Sequence, residues 1–336
     1  MPAMTDSPTR RRRWLAACLL AAPLALLAGL VPTAKAQSWP QRPIRLVVPI
    51  PPGGTPDLVA RLLAEKLLPR LGRPVVVENR AGSNGNIAAE FVARSPADGY
   101  TLLLGMDSII VVNPHLYRQM SFDPLKDLTG VATLTFNRFV LLVNPALPVR
   151  NFAEFVEFAR NAKQPLAYAS GGVGSNHHLT MEMLKARAGI NLLHVPFKGG
   201  SPAAFATVSG ETAVMFAAGA STSQLIAEGR LRGIAVAGRT RAPAFPDLPT
   251  IAETYPGFDT TSWTAVFAPA GTPDAVTTRL RAEVGDMLAQ PDVKERLHRA
   301  GGLEPYPTTA AEFATLVRAD NERYRKVVKD LAVSLE

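Results

Sequence analysis

The 336-residue sequence is poor in cysteine, in aromatic residues and in charge of one dominant sign. Its one cysteine, Cys18, excludes an intrachain disulfide, a CxxC redox pair and any zinc or iron–sulfur site that needs two or more cysteines. The net charge is +8, but five basic residues and one acidic residue give the first 36 residues a net charge of +4. The remaining +4 is too small an excess to favour nucleic-acid binding.

Apolar material, by contrast, is plentiful. Hydrophobic residues make up 47% of the chain and charged residues 19%, which is enough for a full core and shows no signature of disorder. At roughly 100–200 residues per domain, the length predicts about two domains. The 29 prolines and 25 glycines indicate many short, stiff loops.

The first 36 residues have the pattern of a secretory signal peptide. Arg10 to Arg13 precede an apolar run over 14–31, and Ala34-Lys35-Ala36 is a small-residue cleavage pattern. An uncleaved membrane anchor is the alternative, but Pro23 breaks the apolar run. The segment 11–15 also resembles a twin-arginine signal, so both Sec and twin-arginine export remain open. The prediction is a periplasmic protein.

Beyond residue 43, short apolar runs alternate with segments of helical periodicity. Ile44–Ile50, Pro74–Glu78 and Tyr100–Gly105 do not alternate in polarity, which is typical of strands covered on both faces in a parallel α/β sheet. A second such series begins after about residue 138. The chain closes with a strand at 262–268 and helices near 273–289, 291–300 and 309–331. The pattern predicts two α/β lobes.

A first candidate binding loop, Pro51–Asp57, joins a predicted strand to a helix. Open α/β sheets bind ligands at such strand ends. The first turn of a helix leaves backbone N–H groups unpaired, and Gly53 and Gly54 allow an anion to approach them, with the Thr55 hydroxyl nearby. The loop is neither a Walker motif nor GxGxxG. A tight turn capped by Thr55 or Asp57 is the alternative.

A second candidate loop, Tyr168–His178, also runs from a strand into a helix and contains Gly171, Gly172 and Gly174. Its glycines present backbone N–H groups, and Ser170 and Ser175 add hydroxyls. Two such loops, one in each lobe, could face each other across a cleft and hold the two ends of a small dianion.

Enzymatic interpretations of the second loop are weaker. Ser170 with His177 or His178 suggests a hydrolase, but Ser170 lies in no GxSxG nucleophile elbow. His178 and Glu182 have the i, i+4 spacing of metal ligands, but the sequence offers no HExxH frame and no third ligand. A histidine in the first turn of a helix is the simpler interpretation of His178.

Many ordered motifs from residue 39 to about 330 resemble the Bug/TctC proteins, the periplasmic substrate-binding components of tripartite tricarboxylate transporters. The resemblance rests on these segments: Trp39–Ile44, Pro51–Gly54 with Asp57, Val77–Arg80, Gly85–Ile87, Asp98–Leu102, Asn113–Tyr117, Tyr168–Ser170, His194–Gly199 and Phe267–Pro273.

The resemblance implies a two-lobed type II periplasmic-binding fold with two interlobe crossovers. It places 37–138 and 260–336 in lobe 1 and 139–259 in lobe 2. It also implies a monomer without enzymatic activity or cofactor, which closes on a small carboxylate or zwitterion and delivers it to membrane permease subunits. A ligand-presenting sensor for a two-component kinase is the alternative, and a secreted serine hydrolase is a second. The ligand-binding residues implied are Gly53, Gly54, Thr55, Asp57, Asn86, Asp107, Ser170, Gly174, Ser175 and His178.

Two positions depart from the family pattern. Ala217-Ala218-Gly219 stand where the family often has a polar Asp or Asn. Asp107 stands at a strand end where the family commonly has small hydroxyl residues. A carboxylate there would repel a second ligand carboxylate or pair with a ligand amine, or it would cap the following helix. The hypothesis is therefore that the ligand is a monocarboxylate or a zwitterion rather than a citrate-like trianion.

Overall fold

The structure is a computed structural model that describes residues 39–260, 262–300, 303–331 and 334–335. The predicted signal peptide, 1–36, lies outside the described residues. Within those ranges no helix has the length and apolar character needed to cross a membrane. Residues 42–336 form one compact unit.

Eleven strands in the described ranges form two sheets. The first is six-stranded, in the order β11-β4-β10-β3-β1-β2, and the second is five-stranded, in the order β7-β6-β8-β5-β9. Their bounds are β1 Ile44–Val48, β2 Val75–Asn79, β3 Thr101–Met106, β4 Leu128–Asn137, β5 Phe139–Val143, β6 Leu166–Ser170, β7 Leu192–Pro196, β8 Val214–Ala218, β9 Arg232–Ala237, β10 Ser262–Pro269 and β11 Glu304–Pro305.

Helices connect the strands and cover the sheets. They are α1 Thr55–Leu71, α2 Asn86–Ala93, α3 Asn113–Leu116, α4 Pro124–Asp127, α5 Phe152–Asn161, α6 Asn176–Ala188, α7 Gly200–Ser209, α8 Gly219–Ala227, α9 Ile251–Thr254, α10 Asp274–Ala289, α11 Pro291–Arg299 and α12 Ala310–Leu331. A 3-10 turn at Ser83–Gly85 precedes α2, and a π-helical turn at Ser108–Val112 follows β3.

The predicted two-sheet α/β class is confirmed, and the strands with unbroken apolar runs are the most buried. Every residue of β5 is buried, and so are four of the five residues of β1. The core of the first sheet includes Phe313 and Tyr324 of α12, so the last helix packs on the sheet that contains β1. The chain thus leaves the first sheet after β4 and returns to it at β10.

The parallel pairing predicted for the first three strands is confirmed, but each sheet as a whole is mixed. β1 pairs in parallel with β2 and β3, but β10 is antiparallel to β3 and β4, and β5 is antiparallel to β8 and β9. The reason is the double crossover: β5 and β10 each enter their sheet from the edge at which their neighbours end. Sequence analysis also assigned no element to 128–137, which forms the ten-residue strand β4.

Candidate functional site

A single residue, Arg138, links the first sheet to the second where the chain passes from β4 to β5. β4 ends at Asn137 and β5 begins at Phe139, so these two ends lie within about 7 Å along the chain. Asn137 pairs with Ser262, where β10 begins. Phe139 pairs with both Ala218 and Ala237, where β8 and β9 end. The edges at which the strands of both sheets end therefore meet at this crossover.

The first candidate loop leaves the first sheet at this edge. Gly53 has a φ of +89°, a backbone conformation that favours glycine, and it is exposed. Gly54 is the N-cap of α1 and makes no side-chain capping bond, and Thr55 is the first residue of the helix. The structure therefore leaves the start of a 17-residue helix without a side-chain cap at the end of β1.

Asp57 is buried beneath this loop and holds it. Its carboxylate accepts hydrogen bonds from Gly53 N, Arg61 Nε and Asn79 Nδ2, each at 2.9 Å. Burial alone would raise the pKa of Asp57, but the hydrogen bonds from Arg61, Gly53 and Asn79 outweigh it, and the pKa is lowered. Asp57 thus stays charged and fixes the backbone of the loop through its hydrogen bond with Gly53 N.

A chain of asparagines connects the two sheets beside this loop. Asn113 is fully buried and donates to Asn86 Oδ1 at 2.6 Å and to the Asn84 carbonyl at 3.2 Å. Asn84 Nδ2 in turn donates to the carbonyl of Val173, in the second candidate loop, at 3.3 Å. Asn86 is therefore held by Asn113, and Asn84, in the turn that follows β2, contacts the second candidate loop.

The second loop is ordered largely by its own side chains. Ser170 is fully buried, and its Oγ lies 2.6 Å from His194 Nε2 and 3.1 Å from Gly172 N, which donates to it. Ser175 caps α6 by accepting from His178 N, and its hydroxyl donates to the Gly172 carbonyl at 2.7 Å. Both serines therefore shape the loop.

His178 supports the same loop from the core. Its Nδ1 accepts a hydrogen bond from Gly174 N at 3.0 Å, and its ring stacks on His194 with centroids 4.1 Å apart. Burial lowers the pKa of His178 to about 4, so the ring is neutral near pH 7. Gly174 has a φ of +76°, and a Cβ there would collide with Leu116 of the first sheet's core.

In the structure, the residues of the hydrolase and metal-site alternatives have other partners than those the sequence suggested. Ser170 pairs with His194 rather than with His177 or His178. Glu182 binds Tyr168 Oη and Lys185 Nζ. Among the described residues, no group of three or more His, Cys, Asp or Glu side chains could hold a metal ion.

Asp107 lies between the two sheets. Its Oδ1 accepts from Ser108 N at 2.8 Å, which is a capping bond, but also from Asn176 Nδ2 at 3.0 Å and Ser262 Oγ at 2.8 Å. Burial raises the pKa of Asp107 to about 6, against the hydrogen bonds from Ser262 and Asn176 that lower it. Asp107 thus caps the π-helical turn and also binds the first residue of α6.

The ten sequence-predicted residues therefore fall into two groups. Gly53, Gly54 and Thr55 present exposed or half-exposed backbone at the meeting edges. The others hold the loops in place through hydrogen bonds or close packing, namely Asp57, Asn86, Asp107, Ser170, Gly174, Ser175 and His178.

Sequence reasoning did not single out the partners of these residues. They are Arg61, Asn79, Asn84, Asn113, Asn176, His194 and Ser262. Asn79, Asn113 and His194 stand inside motifs that carried the family resemblance, and Asn176 stands inside the second candidate loop; these are the sequence signals that could have found them.

Residues 59–333 match the family described as "Tripartite tricarboxylate transporter family receptor". The chain belongs to this family. The motif-based resemblance is thereby confirmed, and the two-sheet fold is that of the family's solved structures.

Three solved structures show the same fold. Rpa4515 of R. palustris, solved with adipate, is 36% identical with a TM-score of 0.83, covering 88% of this chain and 99% of that one. The periplasmic binding protein BugD is 31% identical with a TM-score of 0.80, covering 89% of this chain and all of BugD. MatC of Rhodopseudomonas palustris, with bound malate, is 33% identical with a TM-score of 0.78, covering 86% of this chain and all of MatC.

Proposed function

We propose that this protein is a periplasmic solute-binding protein that captures a small carboxylate between the loops that follow β1 and β6. The observation that carries the proposal is the meeting of the two sheet edges at Arg138, which supports a cleft between the two glycine-containing loops. The bond from Asn84, in the turn that follows β2, to Val173 of the second loop supports the proposal, because it joins the two sheets beside these loops.

The electrostatics of this cleft favour an anion. α1 and α6, 17 and 13 residues long, both begin at the meeting edges, and helix N-termini carry partial positive charge and unpaired N–H groups. Hydrogen bonds to a charged carboxylate contribute roughly 1.5–3 kcal/mol each. About four to six of them support micromolar binding after the cost of association.

The ligands of two similar proteins support the same class of solute. Adipate and malate are both small dicarboxylates, and they are the molecules named with Rpa4515 and MatC. A zwitterion or a monocarboxylate stays the narrower hypothesis for this chain, and it rests only on the departure of Asp107 from the family pattern, because the Asp107 side chain is fully buried.

The mechanism we propose is closure of two lobes, 37–138 with 260–336 and 139–259, over the ligand. The ligand stabilises the closed form in proportion to its greater affinity for that form. A membrane permease of the tripartite tricarboxylate type would then recognise the closed form. Full burial of the Ser170 hydroxyl supports binding without turnover, because a nucleophile must reach its substrate.

A thermal-shift screen of the purified protein against mono-, di- and tricarboxylates and amino acids tests the proposal. A ligand at about 100 times its Kd adds about 2.7 kcal/mol of stability. The best ligand would then be titrated by calorimetry against Gly53→Ala and Gly271→Ala. Both glycines have positive φ, +89° and +84°, and open space where a Cβ would stand, so they carry a similar backbone cost.

We expect Gly53→Ala to weaken binding at least tenfold, because it distorts the loop that follows β1, and Gly271→Ala to bind like the wild type. Equal affinities for both variants would place the ligand elsewhere. Recovery of the ligand unchanged after prolonged incubation would support a non-enzymatic role, and turnover would overturn it.

A further inference from the structure

Asp107 and Asn176 form a side-chain contact between the two sheets. Asp107 follows β3 of the first sheet, and Asn176 is the first residue of α6, which follows β6 of the second. Leu179 of α6 belongs to the hydrophobic core of the first sheet, so the start of α6 is packed against that sheet. The 3.0 Å bond from Asn176 Nδ2 to Asp107 Oδ1 thus lies in a packed interface between elements of different sheets.

The contact between Asp107 and Asn176 leaves two buried hydrogen-bond acceptors without donors. Within the described part of the chain, Asp107 Oδ2 and Asn176 Oδ1 are both buried, and neither has a hydrogen-bond partner. A buried acceptor without a donor carries a desolvation cost. A proton on Asp107 would remove the negative charge and turn one of its buried oxygens into a donor, which lowers the desolvation cost of this carboxyl group.

The charged groups around Asp107 act on it in opposite directions. Asp320 of α12 faces it and disfavours its charge, while Arg323 and Tyr324 lie on the same helix. Arg323 pairs with Asp320 at 3.1 Å and lies 3.9 Å from Asp259, and it also attracts the charge of Asp107. Burial is nevertheless the largest influence on the pKa of Asp107. From α6 and β10, the neutral side chains of Asn176 and Ser262 contact the carboxylate.

We propose that Asp107 is a proton-binding site linked to closure of the cleft, so that closing over the ligand takes up a proton on this carboxyl. The inference rests on the proposed function, since it takes α6 to move with the second lobe. Opening the cleft would separate Asn176 from Asp107 and admit water to the carboxylate. The open form would then hold this proton less tightly than the closed form.

The pKa values of Asp107 in the closed and open forms set the direction and size of the proton linkage. The pKa of Asp107 is about 6 in the packed interface, against 3.8 for a hydrated aspartate. A group whose pKa is higher in the closed form favours closure as the pH falls. Between pH 8 and pH 5, ligand affinity should rise about tenfold from this group, with uptake of about half a proton per ligand at pH 6.

Calorimetric titration with adipate at pH 8, 6 and 5, in buffers of different ionisation enthalpy, tests the linkage. The variant is Asp107→Asn, a neutral isostere, and the control is Asp286→Asn, which changes an exposed carboxylate bound to Arg70. Adipate titrates in the same pH range, but this effect is common to all three proteins. We therefore expect the wild-type affinity relative to Asp107→Asn to rise about tenfold from pH 8 to pH 5, and the ratio to Asp286→Asn to stay flat.

Small-angle X-ray scattering of the ligand-free proteins separates this inference from the proposed function. Greater compaction of the wild type at pH 5 than at pH 8, absent from Asp107→Asn, would support the proton linkage even if adipate bound to none of the proteins. Equal pH profiles for wild type and Asp107→Asn in both scattering and calorimetry would overturn the linkage and leave carboxylate binding untouched. Asp107→Ser is a second neutral variant. The same result from both variants would show that it does not come from a folding defect specific to Asp107→Asn.

Discussion

Gly53 N donates a 2.9 Å hydrogen bond to Asp57 Oδ2, so a buried carboxylate holds the first candidate loop from the helix that follows it. The same carboxylate accepts from Arg61 and Asn79. An acidic residue can thus fix the backbone of a loop that we propose to bind an anion, without contacting the anion itself.

Asp57→Ala should destabilise the protein by about 2 kcal/mol, because it leaves Gly53 N without its acceptor and Asn79 Nδ2 with only the Ile50 carbonyl. Arg61→Ala should cost less, since the Arg61 side chain is 54% exposed and its ion pair is screened by water. Urea denaturation monitored by circular dichroism measures both variants. Equal stability of Asp57→Ala and wild type would contradict the assigned role.

The lowered pKa of Asp57 predicts that the stability of the protein depends on pH in acid. Its pKa is lowered in the folded protein, so its contribution to stability is present above the pKa of the unfolded chain and is lost as the pH falls through the folded value. The difference in unfolding free energy between wild type and Asp57→Ala should therefore shrink as the pH is lowered below about 4. A difference that stays constant into strong acid would show that the charge of Asp57 is immaterial.

Gly174→Ala should lower the melting temperature more than Gly189→Ala. Both glycines have positive φ, +76° and +63°, but a Cβ meets Leu116 at position 174 and open space at position 189. We expect about 1 kcal/mol for the backbone cost at Gly189 and at least twice that at Gly174. Differential scanning calorimetry compares the two, and similar losses would mean that the contact with Leu116 is loose.

His178 predicts a loss of stability in mild acid. Burial lowers its pKa to about 4, against 6.5 for a hydrated histidine, so the unfolded chain binds the proton first as the pH falls. The stability contributed by the neutral ring is therefore present above pH 6.5 and is lost as the pH falls toward 4, by about 3 kcal/mol at most. Urea unfolding at pH 7 and pH 4.5 measures this loss.

His178→Gln should reduce this pH dependence but not abolish it, because burial also lowers the pKa of His177 to about 4. His298→Gln, a change at an exposed position of α11, should leave it as in the wild type. If all three proteins lost the same stability between pH 7 and pH 4.5, another group would be responsible. His194, whose pKa burial also lowers and whose ring stacks on His178, would then be the next residue to replace.

Local patterns in the sequence were sufficient for the two-sheet α/β class and for the placement of both glycine-containing loops. Unbroken apolar runs such as β1 and β5 mark strands covered on both faces, and glycines after such runs mark strand-to-helix turns. The ordered family motifs predicted the two-lobed topology with its two crossovers, which periodicity alone does not specify. β4 was missed because its burial is irregular and its partners lie far along the chain.

Only the tertiary structure decided which atoms meet. Ser170 with His194, Asp107 with Asn176, and Asn84 with Val173 are separated by 24 to 89 residues, so no local spacing predicts them. The amino-acid sequence alone determined which side chains could carry charge, accept hydrogen bonds or tolerate positive φ. The double crossover at Arg138 and β10 then determined which of them became buried together, and burial is what sets the pKa of Asp107 and His178.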